Sequence, residues 1–289
     1  RGKVLNIDLT TGHISTRVIP GETYRLYPGG SALGLYLILQ EMDPKVDPLS
    51  PENMLVFSVS PLTGLPISGT SRVTVTTKSP LTGTIGDSQA GGFFPMHLKA
   101  NGWDAVVFRG RSEKPVYLYI DGDKAELKDA SNIWGKVTGE AEKIIKDELG
   151  HKNVEVAQIG PAGENLVRFA SIINMCNRAN GRNGTGTVMG SKNLKALVVK
   201  KGKGLKPCDP EKFKEFSKRV VDMIKDNPSI QGLGEFGTDG DLEGFSDEGF
   251  LPTKNWTTGY FPEGAKNITG TTMAETILKG RDTCYGCAV

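Results

Sequence analysis

Cysteine and histidine are scarce in this 289-residue chain, and neither sign of charge prevails. Four cysteines, Cys176, Cys208, Cys284 and Cys287, are too few to staple a chain of this length as a disulfide scaffold. A reducing, cytoplasmic setting is therefore expected. The three histidines, His13, His97 and His151, stand far apart and read as surface or satisfied structural residues, not as catalytic bases. No apolar run approaches the roughly 20 residues that span a bilayer, so no membrane span is expected. Lysine plus arginine number 35 against 33 acidic residues, which speaks against nucleic acid as a partner because phosphate binding draws on clustered positive charge. The opening Arg1-Gly2-Lys3-Val4-Leu5-Asn6-Ile7-Asp8 has the look of a strand, not of a signal peptide's apolar region. It lacks an initiator methionine, and a processed or partial chain is the expectation.

Glycine is plentiful: 37 residues, above the usual share of about 7%. The glycines punctuate short apolar runs. Val4 to Leu9 alternates, Thr10-Thr11-Gly12 supplies turn chemistry, and Ile14 to Ile19 resumes a strand, which together predict a hairpin. Further short strands are expected at Met54–Ser58, Val73–Thr77, Ala105–Arg109 and Val116–Ile120. Helices are expected at Ala32–Met42 with Ser31 as N-cap, and at Thr138–Leu149 closed by Gly150. Ser60-Pro61-Leu62-Thr63-Gly64 recurs as Ser79-Pro80-Leu81-Thr82-Gly83, as expected of two similar turns ending neighbouring strands. Near residue 205 the character changes. Lys200 to Gly204 resembles a linker, and Asp209-Pro210 opens an amphipathic helix carrying Phe213, Phe216, Val220, Val221 and Ile224. Residues 232–249 are glycine-rich with little periodicity, and Thr271–Leu278 returns to helix. The fold class expected is α+β: a β-rich domain over 1–205, then the beginning of a mainly helical domain over 206–289.

Three elements could carry chemistry. In Asn177 to Gly190, small residues let backbone amides approach an anion, and Arg178 and Arg182 add planar donor forks. This suits a phosphate or another anionic cofactor, although the segment matches neither the P-loop nor the three-glycine dinucleotide pattern. Its plain alternative is a tight loop joining core elements. The second element is Ser71-Arg72 with Ser88-Gln89-Ala90-Gly91-Gly92, where the alternative is a surface arginine and a turn. The third is Cys284-Tyr285-Gly286-Cys287, whose spacing lets two thiolates share one metal centre; a redox disulfide or half a zinc site would use the same spacing. Cys176 and Cys208 are expected to be buried small hydrophobes.

Several stretches together resemble the tungsten-containing aldehyde:ferredoxin oxidoreductase family. They are Met42-Asp43-Pro44 through Pro48-Leu49-Ser50-Pro51-Glu52-Asn53, Thr77 to Gly83, Ala130 to Lys136, Ile159 to Asn165, Arg178 to Arg182 through Val188 to Ala196, and Cys284-x-x-Cys287. The resemblance runs through nearly the whole chain. It implies a β-rich domain that carries two pterin dithiolenes chelating tungsten (or molybdenum), with magnesium bridging their phosphates. Arg72, Gln89, Gly91, Arg178, Ala179 and Gly181 fall where family members contact the cofactor or its magnesium, and Gly92 and Arg182 adjoin them. Gln89 stands where relatives often have asparagine, and Asn183 where they often have glycine. Cys284 and Cys287 would be the first two ligands of a [4Fe–4S] cluster.

The activity implied is oxidation of an aldehyde to a carboxylate with ferredoxin as the electron acceptor. Catalytic side chains cannot be named, because the resemblance places them in the remaining C-terminal part of the enzyme. This partial chain alone is expected to be inactive. Two alternatives stand beside that reading: the catalytic subunit of a tungsten-dependent aromatic-ring reductase of the benzoyl-CoA type, and a non-catalytic cofactor-binding module. Assembly as a homodimer or within a larger complex is left open.

Overall fold

The structure is a computed structural model describing residues 2–150 and 152–289; His151 lies outside the described residues, as does Arg1 at the head of the expected first strand. The chain divides into two units, one of residues 1–66 and 70–206, the other of residues 67–69 and 207–289.

The first unit is built on two six-stranded mixed sheets. The first has the order β2-β1-β6-β3-β4-β5, from β1 (Lys3–Asp8), β2 (His13–Val18), β3 (Leu55–Val59), β4 (Val73–Lys78), β5 (Ile85–Ala90) and β6 (Ala105–Arg109). The second has the order β11-β10-β9-β12-β7-β8, from β7 (Val116–Asp121), β8 (Lys124–Asp129), β9 (Val154–Gln158), β10 (Ile172–Asn174), β11 (Arg178–Asn180) and β12 (Leu194–Lys200). The expected β1–β2 hairpin forms, and β1 also pairs in parallel with β6. The repeated Ser-Pro-Leu-Thr-Gly turns follow β3 and β4, which are antiparallel neighbours.

Side-chain alternation sorts the core into layers. Leu5, Ile7, Phe57, Val75, Val106 and Phe108 of the first sheet meet Leu118, Ile120, Ala157, Leu197 and Val199 of the second. The intervening residues face outward and are covered in turn. Val4, Val56, Ala105 and Val107 pack with Leu33, Leu37 and Ile38 of α2 (Gly30–Glu41). Tyr117, Val156, Ala196 and Val198 pack with Ala141 and Ile145 of α4 (Thr138–Glu148). The result is helix, sheet, sheet, helix, with strands such as β3 buried along their whole length because both faces are covered. Truncating a core ring such as Phe57, which is fully buried, would cost about 3–5 kcal/mol. Three shorter helices complete the unit apart from α1 (Gly21–Leu26): α3 (Phe94–Ala100), α5 (Pro161–Glu164) and α6 (Thr185–Ser191).

One cap differs from expectation. Helix α2 begins at Gly30, preceded by Gly29 at φ +75°, and no side chain caps it; the Ser31 hydroxyl instead accepts a hydrogen bond from Gln89 Nε2 at 3.2 Å.

The second unit is helical: α7 (Pro210–Lys225), α8 (Pro228–Phe236), α9 (Leu242–Asp247), α10 (Pro262–Ile268) and α11 (Gly270–Thr276). The Asp209 carboxylate caps α7 by accepting from Lys212 N at 3.1 Å, as the sequence suggests. Asn227 does the same for α8 through Ile230 N at 3.1 Å. That cap, with Pro228 in the first turn, starts a helix that runs into the glycine-rich stretch where no helix is expected. No helix among the described residues is long and apolar enough to cross a membrane.

Candidate functional site

Strands β4 and β5 pair in antiparallel register, Val73 with Ala90 and Thr74 with Gln89. Arg72 and Gly91 extend the two strands at the same end, so residues 19 positions apart in sequence stand side by side. β5 is an edge strand of the first sheet and β11 an edge strand of the second. Side chains join these edges. Asn180 Nδ2 donates to Ser88 O at 2.7 Å, the Arg182 backbone N–H donates to Ser88 Oγ at 3.0 Å, and Asn183 Nδ2 donates to Asp87 O at 2.9 Å. Arg72, Gln89, Gly91 and Gly92 are thereby brought beside Arg178, Ala179, Gly181 and Arg182. Arg72, Gln89, Ala179, Gly181 and Arg182 are exposed, Arg178 is half-buried, and Gly91 and Gly92 form a buried floor.

The glycine-rich segment splits into two halves with different physics. A Cβ on Gly184 would lie 2.0 Å from Arg168 O, on Gly186 2.5 Å from Ser171 O, and on Gly190 2.0 Å from Gly163 O. These glycines exist for close packing of α6, the plain connecting-loop role. Gly181 is different: a Cβ there would meet nothing closer than Ser171 Oγ at 3.7 Å, and its backbone is not left-handed. Among the described residues no contact requires glycine at 181, so the room it leaves lies open to an incoming group. Asn183, at φ +63°, occupies the left-handed region, the conformation that glycine enters freely and asparagine tolerates.

Three guanidiniums, exposed backbone at Gly181 and a glycine floor make a donor set suited to an anionic, phosphate-bearing ligand. The arrangement offers positioning and charge balance; it presents no nucleophile beside a base.

In the second unit, Cys284 and Cys287 stand at the two ends of one turn closed by Cys287 N donating to Cys284 O at 3.1 Å, with Gly286 at φ +66°. Neither is part of a disulfide, and both are half-buried. Among the described residues no group of three histidine, cysteine or acidic side chains is placed to hold a metal ion. Cys176 and Cys208 are exposed, contrary to expectation. Cys176 sits on the β10–β11 turn, where its thiol donates to Glu142 Oε2 at 3.4 Å, and burial together with that carboxylate pushes its pKa upward. His13 is exposed; His97 is buried, and its Nδ1 has no hydrogen-bond partner, so it is structural but not fully satisfied.

Two buried lysines escaped the sequence reading. Lys195 forms a fully buried ion pair with Glu164 and donates to Lys136 O at 3.0 Å. Lys192 donates to Pro51 O at 3.1 Å and Gly110 O at 3.0 Å, and burial, reinforced by Arg111, pushes its pKa down to about 7. Asn53 binds Pro48 O at 2.6 Å and Lys78 O at 3.1 Å. The stretches 42–53, 77–83, 130–136, 159–165 and 191–196 are thus cross-linked by their own side chains. A cleft of about 520 Å³ near Lys192, lined by Asp8, Glu41, Asp43, Glu52 and Arg109, includes none of the expected site residues.

The family models align with this frame. The model for the aldehyde ferredoxin oxidoreductase N-terminal domain matches residues 4–201, and that for domains 2 and 3 matches residues 215–289. The chain belongs to the aldehyde ferredoxin oxidoreductase family. Within it, the chain is 44% identical over 289 residues to a tungsten-containing aldehyde ferredoxin oxidoreductase of Pyrococcus abyssi, covering 100% of this chain and 47% of that protein. It is 33% identical over 310 residues to an aliphatic sulfonate oxidoreductase, WOR-like subunit, of Pyrococcus furiosus, covering 100% of this chain and 48% of that one. Among solved structures, the active site complex BamBC of benzoyl coenzyme A reductase with 1,5-dienoyl-CoA superimposes with a TM-score of 0.85 at 34% identity, covering 99% of this chain and 45% of that one. The chain spans about half the length of the curated relatives it matches.

Proposed function

We propose that this chain is the N-terminal, cofactor-carrying portion of an oxidoreductase that oxidises aldehydes to carboxylic acids with ferredoxin as acceptor. The observation that carries the reading is the assembly of Arg72, Gln89, Gly91, Gly92, Arg178, Ala179, Gly181 and Arg182 at the joined edges of two sheets, in a chain whose relatives are named tungsten-containing aldehyde ferredoxin oxidoreductases. When bound, a tungsten–bis-pterin supplies a two-electron acceptor and a [4Fe–4S] cluster a one-electron relay. The chain's own residues hold and tune them. Arg72, Arg178 and Arg182 would donate to the pterin phosphates, whose remaining charge a magnesium ion would offset, and Gly91 and Gly181 would let the ligand approach the backbone. Gln89 is steadied by Ser31. Cys284 and Cys287 provide two cluster thiolates, and Gly286 gives their turn its left-handed corner. Four cysteines, none of them in a disulfide among the described residues, suit a cytoplasmic enzyme. The catalytic side chains belong to the part of the family protein that this chain does not cover.

In the full-length protein, Arg178→Ala should lower bound metal and pterin about tenfold, the scale of a lost charge-assisted hydrogen bond. Gly181→Val should lower them with the unfolding midpoint unchanged. Undiminished tungsten and pterin in both variants would overturn the assignment. A second reading, a catalytic subunit of an aromatic-ring reductase of the benzoyl-CoA type, is favoured by the structural match to the BamBC complex. Turnover of an aromatic thioester in place of an aldehyde would select it.

A further inference from the structure

The β10–β11 hairpin carries two asparagines on its buried face, and the fold treats them unequally. Directly opposed residues of an antiparallel pair share a face. Ile172 opposes Asn180 and Asn174 opposes Arg178, so all four side chains lie on one side. Asn180 is 1% exposed, and its Nδ2 donates to Ser88 O at 2.7 Å and Val73 O at 3.4 Å. Asn174 is also 1% exposed, yet neither its Nδ2 nor its Oδ1 has a hydrogen-bond partner. Each buried, unpaired polar end costs on the order of 1–3 kcal/mol.

The idle carboxamide lies at the floor of the candidate site. A Cβ on Gly92 would come within 2.2 Å of Asn174 Oδ1 and 3.1 Å of Met175 Sδ. Gly92 sits at φ +103°, open in practice to glycine alone, and its carbonyl accepts a 2.7 Å hydrogen bond from Ser71 Oγ. The turn beyond Asn174 places Met175 at φ +53° and Cys176 at φ +60°, a conformation non-glycine residues adopt only at a cost. An unpaired amide, a glycine-only backbone and a strained turn thus meet where Gly91-Gly92 adjoins Arg178.

We infer that Asn174 is a ligand-contacting residue of this site, its carboxamide kept for the lactam edge of a bound pterin ring. A phosphate would use Nδ2 and leave Oδ1 idle; a cation would do the reverse. A ring edge with an N–H donor next to a carbonyl acceptor uses both, as asparagine does when it pairs with the edge of adenine. Beside the carboxamide lie the Gly92 backbone, which carries no side chain, and the Met175 thioether, which accepts a hydrogen bond from Phe93 N at 3.3 Å.

This inference rests on the pterin reading proposed above, and the experiment separates the two. Asn174→Leu removes both polar ends at nearly constant volume. Pterin per chain is read from the fluorescence of the oxidised ring after acid release, and unfolding is followed on the cofactor-free full-length protein. The expected result is at least about a tenfold loss of pterin in the variant, with the cofactor-free unfolding midpoint equal to or above that of the parent protein. Should leucine prevent folding, Asn174→Ala carries the same comparison. Undiminished pterin in the variant overturns the role of Asn174 and leaves the pterin reading standing. A lowered cofactor-free midpoint also overturns it, because the carboxamide then serves an internal water or the backbone. Absence of pterin from the parent protein overturns both.

Discussion

Helix α7 is more sharply two-faced than α2, yet α2 buries Leu33, Leu37 and Ile38 while α7 buries none of its residues. Phe216 is 54% exposed and Met223 63%. The same contrast holds for the units as wholes. The first has three apolar clusters that extend from helix through sheet to sheet and helix. Among the described residues of the second, the buried ones include Leu251, Ala265, Ser246 and Thr269, mostly small or polar. Pattern proposes a helix, but burial is decided by what the helix has to pack upon. Stability in the first unit should therefore respond to core changes, whereas the second should respond mainly to local helix chemistry.

The largest effect expected is at Lys195. Replacing it by methionine leaves Glu164 charged and unpaired among buried groups, and should lower the unfolding free energy by about 3–5 kcal/mol. Denaturant titration checks this, and a loss below about 1 kcal/mol would break the account of the first unit's interior. Next comes acidification. Burial, with Lys201 nearby, holds the His97 pKa below its usual 6.5 in the folded state. The unfolded chain takes up the proton first, so His97's contribution is fully present above pH 6.5 and disappears as pH falls through the folded value. In His97→Gln that part of the pH slope should vanish from thermal unfolding curves. A smaller effect is predicted for Asp209→Ala, about 1 kcal/mol confined to α7, seen as faster amide exchange in its first turn. Smallest of all, Phe216→Ala should change the stability of the second unit by no more than about 0.5 kcal/mol; a larger loss in calorimetry would show that its apolar face is covered.

Much of this architecture was legible in the sequence because strand period and caps are local signals. The β1–β2 hairpin, the strands near 55, 73, 105 and 116, and the Asp209 cap all follow from neighbours a few residues away. Other features depend on distant partners. Gly181 and Gly184 look alike in sequence; only Arg168 O, lying where a Cβ at 184 would go, separates a packing glycine from one that leaves open space. Ser31 was expected to cap α2, but Gln89, which lies 58 residues away, claims its hydroxyl. Cys176 looked like a core residue, and a left-handed turn carries it to the surface. The resemblance stretches were read as marks of a family. Lys192 on Pro51, Lys195 on Glu164 and Asn53 on Lys78 show that they also fasten the first unit together. How the eight candidate ligand-binding residues meet could not be read from period or composition, because β5 and β11 belong to different sheets.

The asparagine links between β5 and β11 also cover two sheet edges. Open sheet edges recruit other chains through their unpaired amides and carbonyls. Here two of the four edges are turned toward each other, and the Ser88 and Asp87 carbonyls accept from Asn180 and Asn183. A third edge, β8, is guarded by charge, with Lys124, Glu126, Lys128 and Asp129 along six residues. Among the described strands, β2 presents an edge whose one lysine or arginine is Arg17, and its Val18 is 66% exposed. If copies of this chain aggregate on mild heating, β2 is the strand through which they should first join.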